Sequence, residues 1–278
     1  MPHSARRRAH VTWALAAAAL VTQSAAYTAT ATRPTPLAPD YVDGWAVTPK
    51  RSTWQGRELM CLVVSDDPSV DNLHSVAHPD HPRYRAFEEL EDPHGALGVW
   101  PSAYAACASL QKIASQLKRP PTVLELGCGA GLPSLYASVV LESPRVVATD
   151  VEAVPLAFLE AARGAHVETG SFATCTLDVT YAAVDDIRGF DVVVCADMLY
   201  NTDVATALGA LLGAAACGAG APEFVVCDPG RRGRDHFLDA FGAASGLSPM
   251  FVDQAVPDGC VDVFDGTPIG AVGVLAAR

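Results

Sequence analysis

The sequence predicts an α/β fold: a seven-stranded, mainly parallel sheet with helices on both faces and a C-terminal antiparallel hairpin. Three observations carry this. Short apolar runs alternate with helical stretches from residue 122 onward, a glycine-rich turn follows the first run, and two strand-like runs close the chain without a long helix between them. With 278 residues, half of them apolar, the chain can bury one full core and a small appendage rather than two equal domains. The expected organisation is a leader over 1–39, a short irregular N-terminal extension over 40–99, and one α/β domain over 100–278.

The leader has two parts. Arg6, Arg7 and Arg8 precede an apolar stretch from Val11 to Val21 and a small-residue site at Ser24, Ala25 and Ala26, which is the grammar of a secretory signal peptide. That stretch is short of the ~20 residues that span a bilayer. The following YTATATRPTPLAP is rich in Thr, Ala and Pro, has no acid before Asp40, and reads as a transit peptide. A signal peptide with Tyr27 at the cleavage point and an acid-poor hydroxylated stretch resembles the bipartite plastid-targeting leader of algae with secondary plastids. The resemblance implies a plastid home, the alternatives being the secretory pathway or the mitochondrion. No membrane attachment is expected once the leader is removed.

Between Tyr41 and Glu91, Pro, Asp and His crowd into DDPSVDNLHSVAHPDHPRYR, so one or two short strands near Glu58 to Val64 and a long loop are expected. His74, His78 and His81 are close in sequence, but the prolines among them deny a common helical face and no cysteine joins them; no metal site is expected. Pro101 suits a first helical position, and Ala103, Ala106, Leu110, Ile113 and Leu117 recur at helical spacing until Pro120 and Pro121 stop the helix. Thereafter the strands VLEL, RVVAT, FATCTL, FDVVVCA and EFVVC alternate with the helices PSLYASVVL, AVPLAFLEAARG, DVATALGALLGAAACG and RDHFLDAFGAAS. Repeated β-α units of this kind make a parallel sheet covered on both faces. MFVDQAV and IGAVGVLAA supply the terminal hairpin.

The charge balance narrows the partners. Lys and Arg number 19 against 31 Asp and Glu, and without the three leader arginines 16 face 31, a formal charge of −15. Such a surface repels phosphate backbones, which excludes non-specific nucleic-acid binding and favours a basic protein or a cationic side chain. The eight cysteines are scattered, several inside apolar runs, with no C-x-x-C pair, so they read as core residues rather than a disulfide framework.

The chemistry concentrates in VLELGCGAGL. Here a strand runs into Gly127, Gly129 and Gly131, where a chain without Cβ atoms can turn tightly and let a ligand lie on bare backbone. In a Rossmann-like sheet this first strand-helix turn is the expected cofactor site, outside the strands' carboxyl ends. The dinucleotide pattern G-x-G-x-x-G is not met, because Leu132 stands at the last glycine, and Glu125 lies two residues before the first. A carboxylate there suits an ammonium or a sulfonium and repels a pyrophosphate. Asp150, nineteen residues beyond Gly131, can accept from two ribose hydroxyls. Asp178 and Val179 follow the third strand, where adenine contacts would fall, although a surface aspartate reads equally well. Ala196, Asp197 and Tyr200 end the fourth strand at the same edge of the sheet; a helix cap and a packing aromatic are the plainer alternatives for Asp197 and Tyr200.

Together these residues resemble the seven-β-strand protein lysine methyltransferases, including the branch acting on the electron-transfer flavoprotein β subunit. Four segments carry the resemblance: Asp92, Pro93, Trp100, Pro101 and Ser102; LELGCGAGLP; Asp197 to Tyr200; and DPGR at Asp228 to Arg231. Val179 departs from the tryptophan common at its place. The resemblance implies S-adenosyl-L-methionine held by Trp100, Glu125, Gly127, Gly129, Gly131, Asp150, Asp178, Val179 and Ala196, with Asp197 and Tyr200 as catalytic residues at a lysine entrance and a lysine-bearing protein as substrate. Methylation of a nicotinamide-like amine or of arginine on the same scaffold, a non-catalytic scaffold, and a NAD-dependent reductase are the competing possibilities.

Overall fold

The computed structural model describes residues 41–43, 45–65, 95–166, 170–263 and 266–277. The leader, the three clustered histidines, Asp92 and Pro93 lie outside the described residues.

The extension, expected to hold one or two short strands near Glu58 to Val64 in an otherwise irregular stretch, has a strand there within a three-stranded antiparallel sheet. Its strands are β1 (Tyr41–Val42), β2 (Trp45–Trp54) and β3 (Arg57–Val64). β2 and β3 are joined by Gln55 and Gly56, both at positive φ (49° and 75°), the two-residue turn whose twist matches that of paired strands. Leu59 to Val64 are all buried and belong to the same core as the helices of the main domain. Trp54 stands edge-on to Tyr136 at 5.0 Å, Met60 N–H donates to His166 Nε2 at 3.2 Å, and Arg57 pairs with Glu142 at 2.5 Å. The hairpin is therefore part of the main core.

In the main domain α1 (Pro101–Leu117) ends at Lys118, in left-handed conformation, before the two prolines. β4 (Val123–Leu126) leads into α2 (Leu132–Leu135), which continues as a π-helical turn over Tyr136–Val140. Then come β5 (Arg145–Asp150), α3 (Ala153–Arg163), β6 (Ser171–Thr176), a single turn α4 (Val184–Ile187), β7 (Val192–Ala196), α5 (Thr202–Ala216), β8 (Glu223–Asp228), α6 (Arg234–Ser245), β9 (Pro249–Ala255) and β10 (Ala271–Ala277). The sheet order is β6-β5-β4-β7-β8-β10-β9, parallel from β6 to β8, with β10 antiparallel to both β8 and β9. The seven strands, their direction and the terminal hairpin are those expected.

Alternate side chains of the central strands enter two cores. Val123, Val146, Val192 and Val194 pack with α1, α2, α3 and β3, while Leu124, Leu126, Val193 and Cys195 pack with α5 and α6. Both faces being buried is why these strands read as unbroken apolar runs. No helix among the described residues is long and apolar enough to cross a membrane.

Candidate functional site

Because β4 to β8 run parallel, the residues that follow each strand gather along one edge of the sheet. That edge carries the β4 turn, Asp150 at the end of β5, Asp178 and Val179 after β6, Asp197 after β7 and Asp228 at the end of β8. β4 is flanked by β5 on one side and β7 on the other, so the glycine turn opens at the point where the strand order reverses.

The turn depends on its glycines. Gly127, Gly129 and Gly131 have φ of 65°, 48° and 72°, a region where other L-residues are strained. Gly129 also lies so close to the segment before α1 that a Cβ would stand 2.6 Å from the Gly95 carbonyl oxygen. Cys128 N–H donates to the Thr149 carbonyl at 2.8 Å and Gly131 N–H to that of Cys128 at 2.7 Å. Asp150 completes the frame: Oδ2 accepts from Gly129 N–H at 2.9 Å and Oδ1 from Glu152 N–H at 3.1 Å. The ribose-type acid and the glycine turn expected from sequence are therefore directly bonded.

Glu125 sits differently from the open carboxylate expected. Strand alternation turns it to the α1/α2 face, where it is 1 % exposed and accepts from Ser134 N–H at 3.0 Å and from the Ser134 hydroxyl. Burial pushes its pKa up to about 8, against the opposing pull of the Ser134 hydrogen bonds. At neutral pH it mainly holds a proton and supports the start of α2, and the negative charge on the turn falls to Asp150. The buried Cys128 thiol is pushed up by burial and then by the fields of Asp150 and Glu125.

Asp178 Oδ1 accepts from Thr180 N–H at 2.9 Å and from the Thr180 hydroxyl at 2.6 Å, which fixes the turn after β6. Val179 is buried in the α5/α6 core beside Leu126 and Met198, and Met198 in turn lies against Gly127.

At the end of β7, Ala196 pairs in register with Cys227, and Asp197 follows at φ 62° with its N–H donating to the Cys227 carbonyl at 2.9 Å. Its side chain, 4 % exposed, accepts from Arg231 Nε at 2.7 Å and Nη2 at 3.1 Å. Burial pushes the Asp197 carboxyl up, Arg231 opposes this, and Asp228 and Asp262 add to it. Arg231 Nη1 also pairs with Asp262 at 3.0 Å, and its guanidinium lies 5.5 Å from the centre of the Trp100 ring. Trp100, expected beside the cofactor, is thus tied to the acid cluster. Tyr200 is half-buried, and its carbonyl accepts from Arg232 Nε at 2.7 Å. The cap of α5 is Asn201, whose Oδ1 accepts from Asp203 N–H and Val204 N–H at 2.8 and 3.2 Å, so capping does not explain Asp197.

Sequence reasoning missed Asp262, which lies in an irregular stretch before β10 that carries no pattern. Arg231 stands in the DPGR segment, and an arginine one turn past a strand-end aspartate is a usable signal. Asp228, 0 % exposed, accepts from Gly230 N–H, Arg231 N–H and Arg234 Nε, and so builds the turn that presents Arg231.

The residues fit a cationic nucleoside cofactor. The turn beside the Asp150 carboxylate needs its glycines, since a Cβ at them would meet Met198, the Gly95 carbonyl oxygen or Leu159, and Arg231 is paired with Asp197 and Asp262. A pyrophosphate would meet that carboxylate with no compensating charge from the turn itself.

The sequence matches the family described as lysine methyltransferase over residues 79–241, more than half of the chain. No curated protein matches it. Among solved structures it is similar to a candidate RNA methyltransferase of Pyrococcus horikoshii (TM-score 0.46, 16 % identity, covering 69 % of this chain and 91 % of that one). It is also similar to magnesium protoporphyrin IX methyltransferase of Synechocystis PCC 6803 with bound SAH (0.43, 13 %, 70 % and 93 %) and to the methyltransferase domain of bacterial CtHen1 (0.40, 14 %, 61 % and 96 %).

Proposed function

This chain belongs to the lysine methyltransferase family, and from that premise we propose that it methylates the side-chain amine of a lysine in a protein, with S-adenosylmethionine as donor. The observation that carries the reading is one sheet edge bearing both a left-handed glycine turn bonded to Asp150 and, after the neighbouring strand, a buried, ion-paired Asp197. The first suits a nucleoside with a cationic sulfur; the second suits a cationic acceptor.

S-adenosylmethionine supplies a methyl group already activated by its sulfonium, so the protein's task is orientation and electrostatics rather than covalent catalysis. The backbone of Gly127 to Gly131 and the Asp150 carboxylate hold the amino-acid and ribose parts. Asp178, Val179 and Ala196 border the rest, with Trp100 against the acid cluster. At the acceptor end the Asp197 carboxylate and the Tyr200 hydroxyl align the incoming amine, and its proton leaves to water. The acidic surface favours a basic stretch of protein around the target lysine.

The test is to incubate the purified chain with S-adenosylmethionine labelled in its methyl group and a total cell extract, then hydrolyse the protein fraction. Label in methyl-lysine is expected. Label in a soluble metabolite would mean a small-amine substrate, label in methylarginine a different acceptor, and no transfer at all would remove the reading.

A further inference from the structure

In the cluster at the ends of β7 and β8, Arg231 has three separate commitments. Nε and Nη2 meet both oxygens of Asp197 at 2.7 and 3.1 Å, Nη1 meets Asp262 at 3.0 Å, and one face of the guanidinium lies over the Trp100 ring. Its backbone is equally constrained. Arg231 N–H donates to Asp228 at 3.1 Å, and Gly230, at φ 105°, allows the tight turn that brings the arginine back over β7. Asp228 itself is anchored by Arg234 at 2.7 Å.

We propose that Arg231 is a positioning residue for methyl transfer: gripped by Asp262, Trp100 and its own turn, it fixes Asp197 as an oriented anion that receives the acceptor amine. This rests on the acceptor site lying at Asp197. The fork leaves each Asp197 oxygen one bond committed and further lone pairs available. Two carboxylates and one guanidinium leave a formal charge of −1, which matches a single ammonium. Asp197 also adopts a left-handed backbone without being glycine, the kind of strain that persists where side-chain aim matters.

A salt bridge that merely stabilises the fold would share this geometry, and titration separates the two. The groups facing Asp197 are Arg231, Asp228, Asp262 and the Cys227 thiol. Arg231 alone among them favours the ionised carboxylate; burial, Asp228 and Asp262 oppose it. Without Arg231 the proton stays on Asp197 to higher pH, and each unit of rise above the working pH costs about tenfold in ionised carboxylate.

The experiment uses the full chain and the variants R231A, R231K and D262N. It reads the Asp197 titration by carboxyl carbon NMR, assigned by its loss in D197N, and the initial rate of methyl incorporation into the same cell extract across pH. R231A should move the Asp197 titration up by more than about one unit. Its rate deficit should then shrink at least about tenfold as pH rises through that window. R231K restores the charge but not the fork, so its titration returns while its rate stays low at every pH. D262N, losing a like charge, moves the titration down. An unmoved titration in R231A with a pH-independent rate deficit would overturn the proposal. Should R231A fail to fold, an unchanged Asp197 titration in both R231K and D262N does the same. Wild-type chain that transfers no methyl group defeats the functional reading, whereas the NMR arm still decides whether Arg231 sets the state of Asp197.

Discussion

Replacing Gly129 by alanine probes the cofactor turn most sharply, because its neighbour is backbone and cannot rotate away. At Gly127 and Gly131 an added Cβ meets the ends of Met198 and Leu159, which are flexible; at Gly129 it meets the Gly95 carbonyl oxygen at 2.6 Å, well inside the 3.4 Å at which ordinary contact begins. Left-handed backbone costs a non-glycine residue about 1–2 kcal/mol. Overpacking adds about 1–3 kcal/mol, for a sum of about 2–5 kcal/mol. For a domain of this size that is a fall in Tm of roughly 4–20 °C. Because Gly129 N–H is the donor that ties the turn to Asp150, the same shift should disrupt the ligand cradle. Thermal melting and calorimetric titration with S-adenosylmethionine read both effects. A variant that melts with wild type and binds the cofactor equally well would refute the assignment of this turn.

Four further outcomes are expected. Asp150→Ala strips Gly129 N–H and Glu152 N–H of their acceptor; at about 1–3 kcal/mol, S-adenosylmethionine should bind roughly 5- to 150-fold more weakly by calorimetry, and unchanged affinity would count against the ribose assignment. Glu125 has its pKa raised from 4.5 to about 8, so its contribution to stability is complete below pH 4.5 and is lost as pH rises towards 8. Denaturant unfolding should therefore show wild type losing a few kcal/mol relative to Glu125→Gln across that window, and a constant difference between the two would contradict the burial argument. Asp197→Ala should cut methyl transfer by about 10²-fold or more. Tyr200→Phe should cut it by about five- to tenfold, the worth of one hydrogen bond. Neither should shift cofactor affinity, and full turnover in Asp197→Ala would remove it from the acceptor site.

The main sheet was legible because both faces of its strands are buried: VLEL, VVVCA and EFVVCD could hardly be anything else between helical stretches with turn residues at their ends. β2 was not. WAVTPKRSTW carries Pro49 in mid-strand, paired with Leu62, and exposes Lys50 and Arg51, so no alternation survives to be read. The joint at Gln55-Gly56 lacks the Asn-Gly or Asp-Gly signature of such turns. The single turn α4 is too short to show a period. At the site, motif spacing located the glycines, Asp150 and Asp197, since those positions follow from chain order within parallel β-α units. What spacing cannot show is the direction of a side chain: Glu125 faces Ser134 because alternation along β4 turns it inward. Asp262 lies outside the helices and strands, a helix and a strand away from Arg231 in sequence, and only folding brings the two together.

The most direct test of the account is a calorimetric titration of the chain with S-adenosylmethionine and, in parallel, with NAD. If the β4 turn and Asp150 form a cradle for a cationic nucleoside, the first binds at one site per chain and the second gives no saturable heat. Saturable binding of NAD, or none of S-adenosylmethionine, would contradict it.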